Sequence, residues 1–289
     1  MRKRRNSILL EVFAILLFLI YMLPFLIILI NASKPSLKII DNPLSLPTDP
    51  SVFIDNVQKT ITSPNVRYVS SFISSIIITI VSVGLLALIT SMAAWVLVRT
   101  KTKLSGFIFM IFVAAMVIPF QVVMFPLISW FHLVEVKLNL SAQFRLLQNY
   151  PGIILAYLGF GTPMSVFLFH GFIKGVPLEI EESATIDGCS RSATFFKIVF
   201  PILKPITVTV IILNGIWIWN DFLLPMLVLG SGNAVQTLPL AVANFVGSFL
   251  RKWDLILTST IMAMLPIVIL FLILQKHIIK GMMEGSVKG

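Results

Sequence analysis

The stretch PLEIEESATIDGCSRSATFFKIVFP, residues 177–201, stands between two apolar runs, Gly152 to Phe172 and Ile206 to Leu229. Pro177 suits the first turn of a helix, where its missing N–H costs nothing, and Glu179, Glu181 and Glu182 follow at the positive end of the helix dipole. Gly188 permits the left-handed turn that stops a helix. A second short helix is expected to begin at Ser190 or Ser192 and to end before Pro201, with Phe195, Phe196, Ile198 and Val199 as its apolar residues. The segment therefore reads as a helix-turn-helix that presents acidic and small residues outward. Two readings of it stand at this level: a face built to dock on a partner, or an ordinary acid-capped amphipathic loop.

Outward from this loop, the chain resolves into six apolar stretches of 18 or more residues, each long enough to cross a hydrocarbon core of about 30 Å. They run approximately over 8–30, 72–98, 104–130, 152–172, 206–229 and 255–279, and the acidic exceptions are Glu11 at the start of the first and Asp221 in the fifth. The first follows Arg2-Lys3-Arg4-Arg5 as a secretory signal would. Its apolar region is too long for one and Asn31-Ala32-Ser33 is a poor cleavage site, so it reads as a retained helix. Pro119 and Pro126 are expected to kink the third span. The apolar segment 234–250, after the Gly230-Ser231-Gly232-Asn233 break, reads as an interfacial helix or a partial re-entry.

The composition agrees. Of 289 residues 57% are apolar and 12% charged, about half the charge of a soluble domain, which argues against a soluble enzyme. The net charge of +10 is not arranged as nucleic-acid binders arrange it, with basic stretches interleaved with aromatics, so no nucleic acid is expected. It divides instead across the membrane. With the amino terminus in the cytoplasm, 14 of the 22 Lys and Arg fall in inner segments and 8 in outer ones, as the positive-inside rule requires of six spans with both termini inside. The fold class expected is an all-α polytopic membrane protein, six transmembrane helices with both termini cytoplasmic, a cytoplasmic loop over 173–204, and membrane lipid as its solvent. Cys189 is the one cysteine, and His132, His170 and His277 lack ligand spacing, so neither a disulfide nor a metal site is expected.

The spacing of the loop resembles the EAA loop of permease subunits of binding-protein-dependent ABC importers. That pattern runs Glu-Ala-Ala, three residues, Gly, nine residues, Ile-x-Leu-Pro. Here Glu182-Ser183-Ala184, Gly188 and Ile198-Val199-Phe200-Pro201 keep every spacing, with Ser183 and Phe200 as the departures. Asn220-Asp221-Phe222, Thr237-Leu238-Pro239-Leu240 and the terminal Gly285-Ser286-Val287-Lys288-Gly289 resemble the carbohydrate branch, especially the second permease of maltose-type systems. The likeness is recognisable from about Arg67 onward; the first 66 residues match only in hydropathy.

The resemblance implies a single importer transmembrane domain over 1–289 in the inner, or cytoplasmic, membrane of a prokaryotic cell. It would be a non-catalytic subunit without cofactor, in a heterodimer with a second permease subunit. Two cytoplasmic ATPase subunits and an extracytoplasmic solute-binding protein that delivers a sugar complete the assembly. The absence of G-x-x-x-x-G-K-[ST], indeed of any Gly-Lys pair, agrees that ATP is bound elsewhere. The implied ATPase-coupling residues are Glu181, Glu182, Ser183, Ala184, Asp187, Gly188, Ile198 and Pro201. Glu182 would pair with a basic residue of the ATPase, Ala184 would allow close approach, and Gly188 would set the angle between the short helices. The short, flexible tail from Met282, with Val287, Lys288 and Gly289, is implied to touch the ATPase.

Asn214, Trp217 and Asp221 are spaced to share a helix face, with Asn220 adjacent. They are either a sugar path, since sugars favour aromatic stacking with amide and carboxylate hydrogen bonds, or interfacial polarity of a structural kind. An ion-coupled secondary transporter would show several paired ionisable residues within spans, where only Asp221 is found. A membrane enzyme lacks support: beside Gly230-Ser231-Gly232 no His or Lys base stands at a recognisable spacing.

Overall fold

The computed structural model describes residues 2–63, 67–248 and 252–286. All its regular elements are helical: α1 (Arg2–Ala32), α2 (Ser36–Asp41), α3 (Ser51–Thr62), α4 (Tyr68–Arg99), α5 (Lys103–Ala115), α6 (Phe120–Leu138), α7 (Tyr150–Ile173), α8 (Glu179–Ile186), α9 (Arg191–Thr194), α10 (Phe200–Ile202), α11 (Lys204–Asn220), α12 (Leu223–Val228), α13 (Leu238–Ser248) and α14 (Trp253–Ser286). A 3₁₀ turn covers Ala142–Phe144 and a π-helical segment covers Phe195–Val199. Among the described residues five helices are long and apolar enough to cross a membrane, and a sixth span arises if α11 is joined to the helical run 191–202 across a 74° bend. An all-α membrane protein is thus what the sequence builds.

Two compact units are formed, one from residues 1–69 with 241–266 and the other from 70–240 with 267–289. In the first, α1 exposes its apolar side chains almost throughout, Leu10 and Tyr21 among them, as a helix solvated by lipid or by a partner does. Its carboxy-terminal end is tied by hydrogen bonds. The Ala32 carbonyl accepts from Asn56 Nδ2 (3.2 Å) and Thr258 Oγ1 (3.3 Å), and Ser36 Oγ donates to Asp254 Oδ1 (2.5 Å). Lys34 is buried, with Nζ donating to Asn31 Oδ1, the Asn42 carbonyl and the Pro43 carbonyl at 3.0, 3.2 and 3.3 Å, which fully occupies its three protons.

The second unit has two apolar cores. One gathers Ile78 and Leu86 of α4, Phe131 of α6, Tyr157 of α7, Ile218 of α11 and Leu224 of α12. The other gathers Trp95 of α4, Phe169 of α7, Phe195 and Val199 of the π segment, Leu203 and Val210. α7 runs through both, which is why so much of it is buried; Asn149 caps it by accepting from the Tyr150 N–H (2.8 Å).

Three expectations need correction. The stretch 104–130 is two helices, because Pro119 takes an extended ψ of 138° and begins α6 rather than merely kinking it. Pro126, by contrast, stays inside α6. The stretch 206–229 is broken at Asp221, which leaves the helix with ψ 130° well before the Gly230 break. The second loop helix does not stop before Pro201: the π segment places the Phe200 N–H on the Phe195 carbonyl, the widened coil admits the proline, and helix continues to Ile202. The carboxy-terminal segment from Met282 is helical through Ser286.

Candidate functional site

The loop after α7 folds as local chemistry directs. The Leu178 carbonyl accepts from the N–H groups of Glu181 (2.9 Å) and Glu182 (3.1 Å), opening α8. At the other end Gly188 has φ +81°, its N–H donates to the Thr185 carbonyl (3.1 Å), and the Cys189 N–H donates to the Ala184 carbonyl (2.9 Å). These two bonds are the Schellman pattern that a left-handed residue makes possible. Ser190 then caps α9, its side chain accepting from the Ala193 N–H (3.3 Å). The expected turn at Gly188 and start at Ser190 are both found.

The two faces of α8 differ. Its buried residues are Glu181 and Ala184, whereas Glu182, Ser183 and Asp187 are exposed and Ile186 is 86% exposed. Gly188 and Pro201 are exposed and Ile198 is half-buried. Glu182, Ser183, Asp187 and Gly188 therefore form one outward surface, while Glu181 and Ala184 turn inward, against the expectation that acidic and small residues alike face out. Val287, Lys288 and Gly289 lie outside the described residues.

What Glu181 meets inside is a set of donors that sequence spacing does not reveal. Its Oε1 accepts from Arg99 Nη2 (2.7 Å) and Nε (2.8 Å), and its Oε2 accepts from Trp95 Nε1 (2.9 Å). Arg99 Nη2 also donates to the Val176 carbonyl (3.0 Å). The Arg191 guanidinium lies 5.4 Å from the Trp95 ring centroid, and the Phe195 ring lies 5.2 Å from it. Trp95 and Arg99 are one helical turn apart at the end of α4, a spacing that a search for paired aromatic and basic residues at span ends could have flagged.

The second candidate group is not one face. Asn214 is buried and donates to Ser165 Oγ (3.0 Å) and the Val210 carbonyl (2.9 Å), holding α11 on α7. Asn220 is exposed, its amide donating to the Ile216 carbonyl (2.8 Å). Asp221, beyond the helix end, accepts from the Leu223 N–H (3.0 Å) and from the Tyr157 hydroxyl (3.2 Å), so that it starts α12 and binds it to α7. Trp217 alone of the four lines a cavity of about 630 Å³, walled among others by Phe120, Trp130, Phe131, Phe160 and Met164. It meets Tyr157 edge-on at 5.5 Å. The aromatic wall could face a sugar ring, but the carboxylate and amides expected to accompany Trp217 are engaged elsewhere.

Residues 87–284 match the family described as binding-protein-dependent transport system inner membrane component. The chain is 38% identical over 280 residues to the "Probable starch degradation products transport system permease protein AmyC" of Thermoanaerobacterium thermosulfurigenes, covering 97% of this chain and 96% of that one. It is 32% identical to the multiple sugar-binding transport system permease protein MsmG of Streptococcus mutans, with 93% of each covered. The likeness to AmyC thus reaches into the first 66 residues, where the sequence offered hydropathy alone. Among solved structures it resembles a chain of a bacterial ABC transporter involved in the import of the acidic polysaccharide alginate, with TM-score 0.73, 20% identity and 95% of each chain covered.

Proposed function

The chain belongs to the binding-protein-dependent transport system inner membrane components, and from that premise we propose that it is a permease subunit of an ATP-driven importer of a sugar or oligosaccharide. It is a multi-pass membrane subunit that works with a binding protein, an ATPase and another permease. In the finer form of the proposal, one copy pairs with a different permease, two ATPase subunits dock on the cytoplasmic side, and both termini face the cytoplasm. The 14 to 8 division of basic residues supports that orientation. The binding protein releases sugar to an outward-open path, and ATP-driven closure of the ATPase pair is passed to the membrane helices through α8.

The observation that carries the coupling role is the outward surface of α8. An exposed Glu182, with Ser183 and Asp187 beside it, ends in a fixed left-handed turn at Gly188. A carboxylate so placed can accept a bidentate pair from a partner's arginine, and the turn holds the direction of the helix. The apolar cavity beside Trp217 supports a part of the sugar path there, aromatic faces being what pyranose rings stack on.

The test is purification from detergent without added partners, followed by reconstitution with what co-purifies. Expected are an ATPase and a second permease, and ATP-dependent uptake of some member of a panel of radiolabelled mono-, di- and oligosaccharides once binding protein is added. Glu182→Ala is expected to weaken ATPase retention. A homogeneous monomer that transports without ATP would overturn the reading.

A further inference from the structure

The buried face of α8 suggests how force applied to its outward surface travels onward. Of its eight residues only Glu181 and Ala184 are buried, so little apolar area holds this helix to the protein. Apolar contact is non-directional and tolerates sliding and rotation. A carboxylate gripped by three N–H donors does not, because its bonds weaken steeply as angles open. Arg99 Nε and Nη2 and Trp95 Nε1 occupy both oxygens of Glu181 at 2.7 to 2.9 Å. The donors sit on the last turn of a 32-residue helix that is long and apolar enough to cross a membrane. The same Trp95 ring receives Arg191 of α9 on its face and Phe195 of the π segment alongside, so both arms of the loop converge on one side chain.

We propose that Glu181, Arg99 and Trp95 form a clamp that transmits displacement of α8 to the end of α4, acting as positioning residues for energy transfer to the transport path. This rests on the reading of α8 as the helix that meets the ATPase. In that division of labour Glu182 faces the partner and Glu181, one residue earlier, faces home. The adjacent carboxylates serve opposite ends of one lever. Arg99 is suited to the inner end, since its planar fork reaches Glu181 and the Val176 carbonyl together, which a lysine ammonium on a flexible stem does not reproduce.

The experiment compares sugar taken up per ATP hydrolysed in proteoliposomes holding the complete complex, for wild type, Glu181→Gln, Arg99→Lys and Trp95→Phe. Trp95→Phe keeps both charges and an aromatic ring near Phe195, and removes the Nε1–H together with part of the indole. Expected is a fall of roughly 5- to 150-fold in uptake per ATP for the first two variants, the span of ordinary coupling between sites, and a smaller fall for Trp95→Phe, with the ATPase retained in wild-type ratio. A folding role alone would lower uptake and hydrolysis in proportion and leave their ratio unmoved. Variants with the wild-type ratio, or variants that shed the ATPase, would overturn the clamp while the importer reading stands. A wild-type complex that holds its ATPase and takes up no sugar would refute the importer reading, and the clamp with it.

Discussion

Gly188 offers a perturbation whose size can be worked from its surroundings. Its φ is +81°, and a Cβ built on it meets no atom within 4 Å. Any cost of a side chain there is therefore conformational and not a clash. For alanine the left-handed region costs about 1–2 kcal/mol. Escape from that strain means unwinding the turn, which forfeits the bonds from Gly188 to Thr185 and from Cys189 to Ala184. At about 0.5–1.5 kcal/mol each, their loss totals about 1–3 kcal/mol. Strain and unwinding are thus comparable for alanine, and Gly188→Ala keeps the turn in most molecules. Valine is branched at Cβ and far less tolerant of positive φ, so Gly188→Val unwinds and the angle between α8 and α9 is lost. Asparagine, which visits this region readily, is expected to stay near wild type. Cys189, half-buried and the chain's one cysteine, reports on the turn: its maleimide labelling rate should rise from wild type through alanine to valine. Uptake in reconstituted vesicles should fall in the same order while the protein remains inserted. A valine variant that labels slowly and transports normally would refute this reasoning.

Other outcomes follow from packing and caps. Gly152→Ala drives its Cβ into the Leu146 carbonyl oxygen, a backbone atom that cannot swing aside, so a loss of about 3 kcal/mol is expected in thermal unfolding followed by tryptophan fluorescence. Gly171→Ala, in open space on α7, should instead gain roughly 0.5–1 kcal/mol from helix propensity in the same assay. Asp221→Ala should cost about 1 kcal/mol by removing the start of α12, and Asp221→Asn, which keeps an acceptor, much less; equal losses would show that the carboxylate does something other than cap. Deleting Glu284 to Gly289 should reduce vesicle uptake, and full uptake by the truncated chain would remove the tail from the ATPase contact.

Whatever depends on neighbouring backbone was legible in the sequence. Gly188 and Ser190 mark the turn and the second helix because a left-handed residue and a capping hydroxyl act within three residues of themselves. Hydropathy located the apolar stretches for the same reason. The breaks were harder to read. Pro119 was visible as a kink, but whether the chain bends or restarts depends on how the residues before it close their turn. Pro201 looked like a stop because no local signal announces the π segment ahead of it, which shifts the hydrogen-bond register. Asp221 stood open between a sugar path and structural interfacial polarity, since nothing nearby in sequence announces a tyrosine 64 residues earlier as its partner. Glu181 hid most completely. Its donors lie 82 and 86 residues away, and a run of three glutamates in one helical turn gives no hint which points home.

The pairing of Glu181 with Arg99 also decides the electric character of the surface left outside. With that carboxylate neutralised within the chain, the negative charge of α8 that reaches solvent belongs to Glu179 and Glu182, with Asp187 at its end. On a chain of net charge +10 this is a small island of opposite sign. Such an island attracts a basic partner from about a Debye length away, roughly 8 Å at physiological salt, and repels the same acidic island on another copy of the chain. Subunit assembly would then be guided in orientation before any contact forms, and its rate should fall as ionic strength rises.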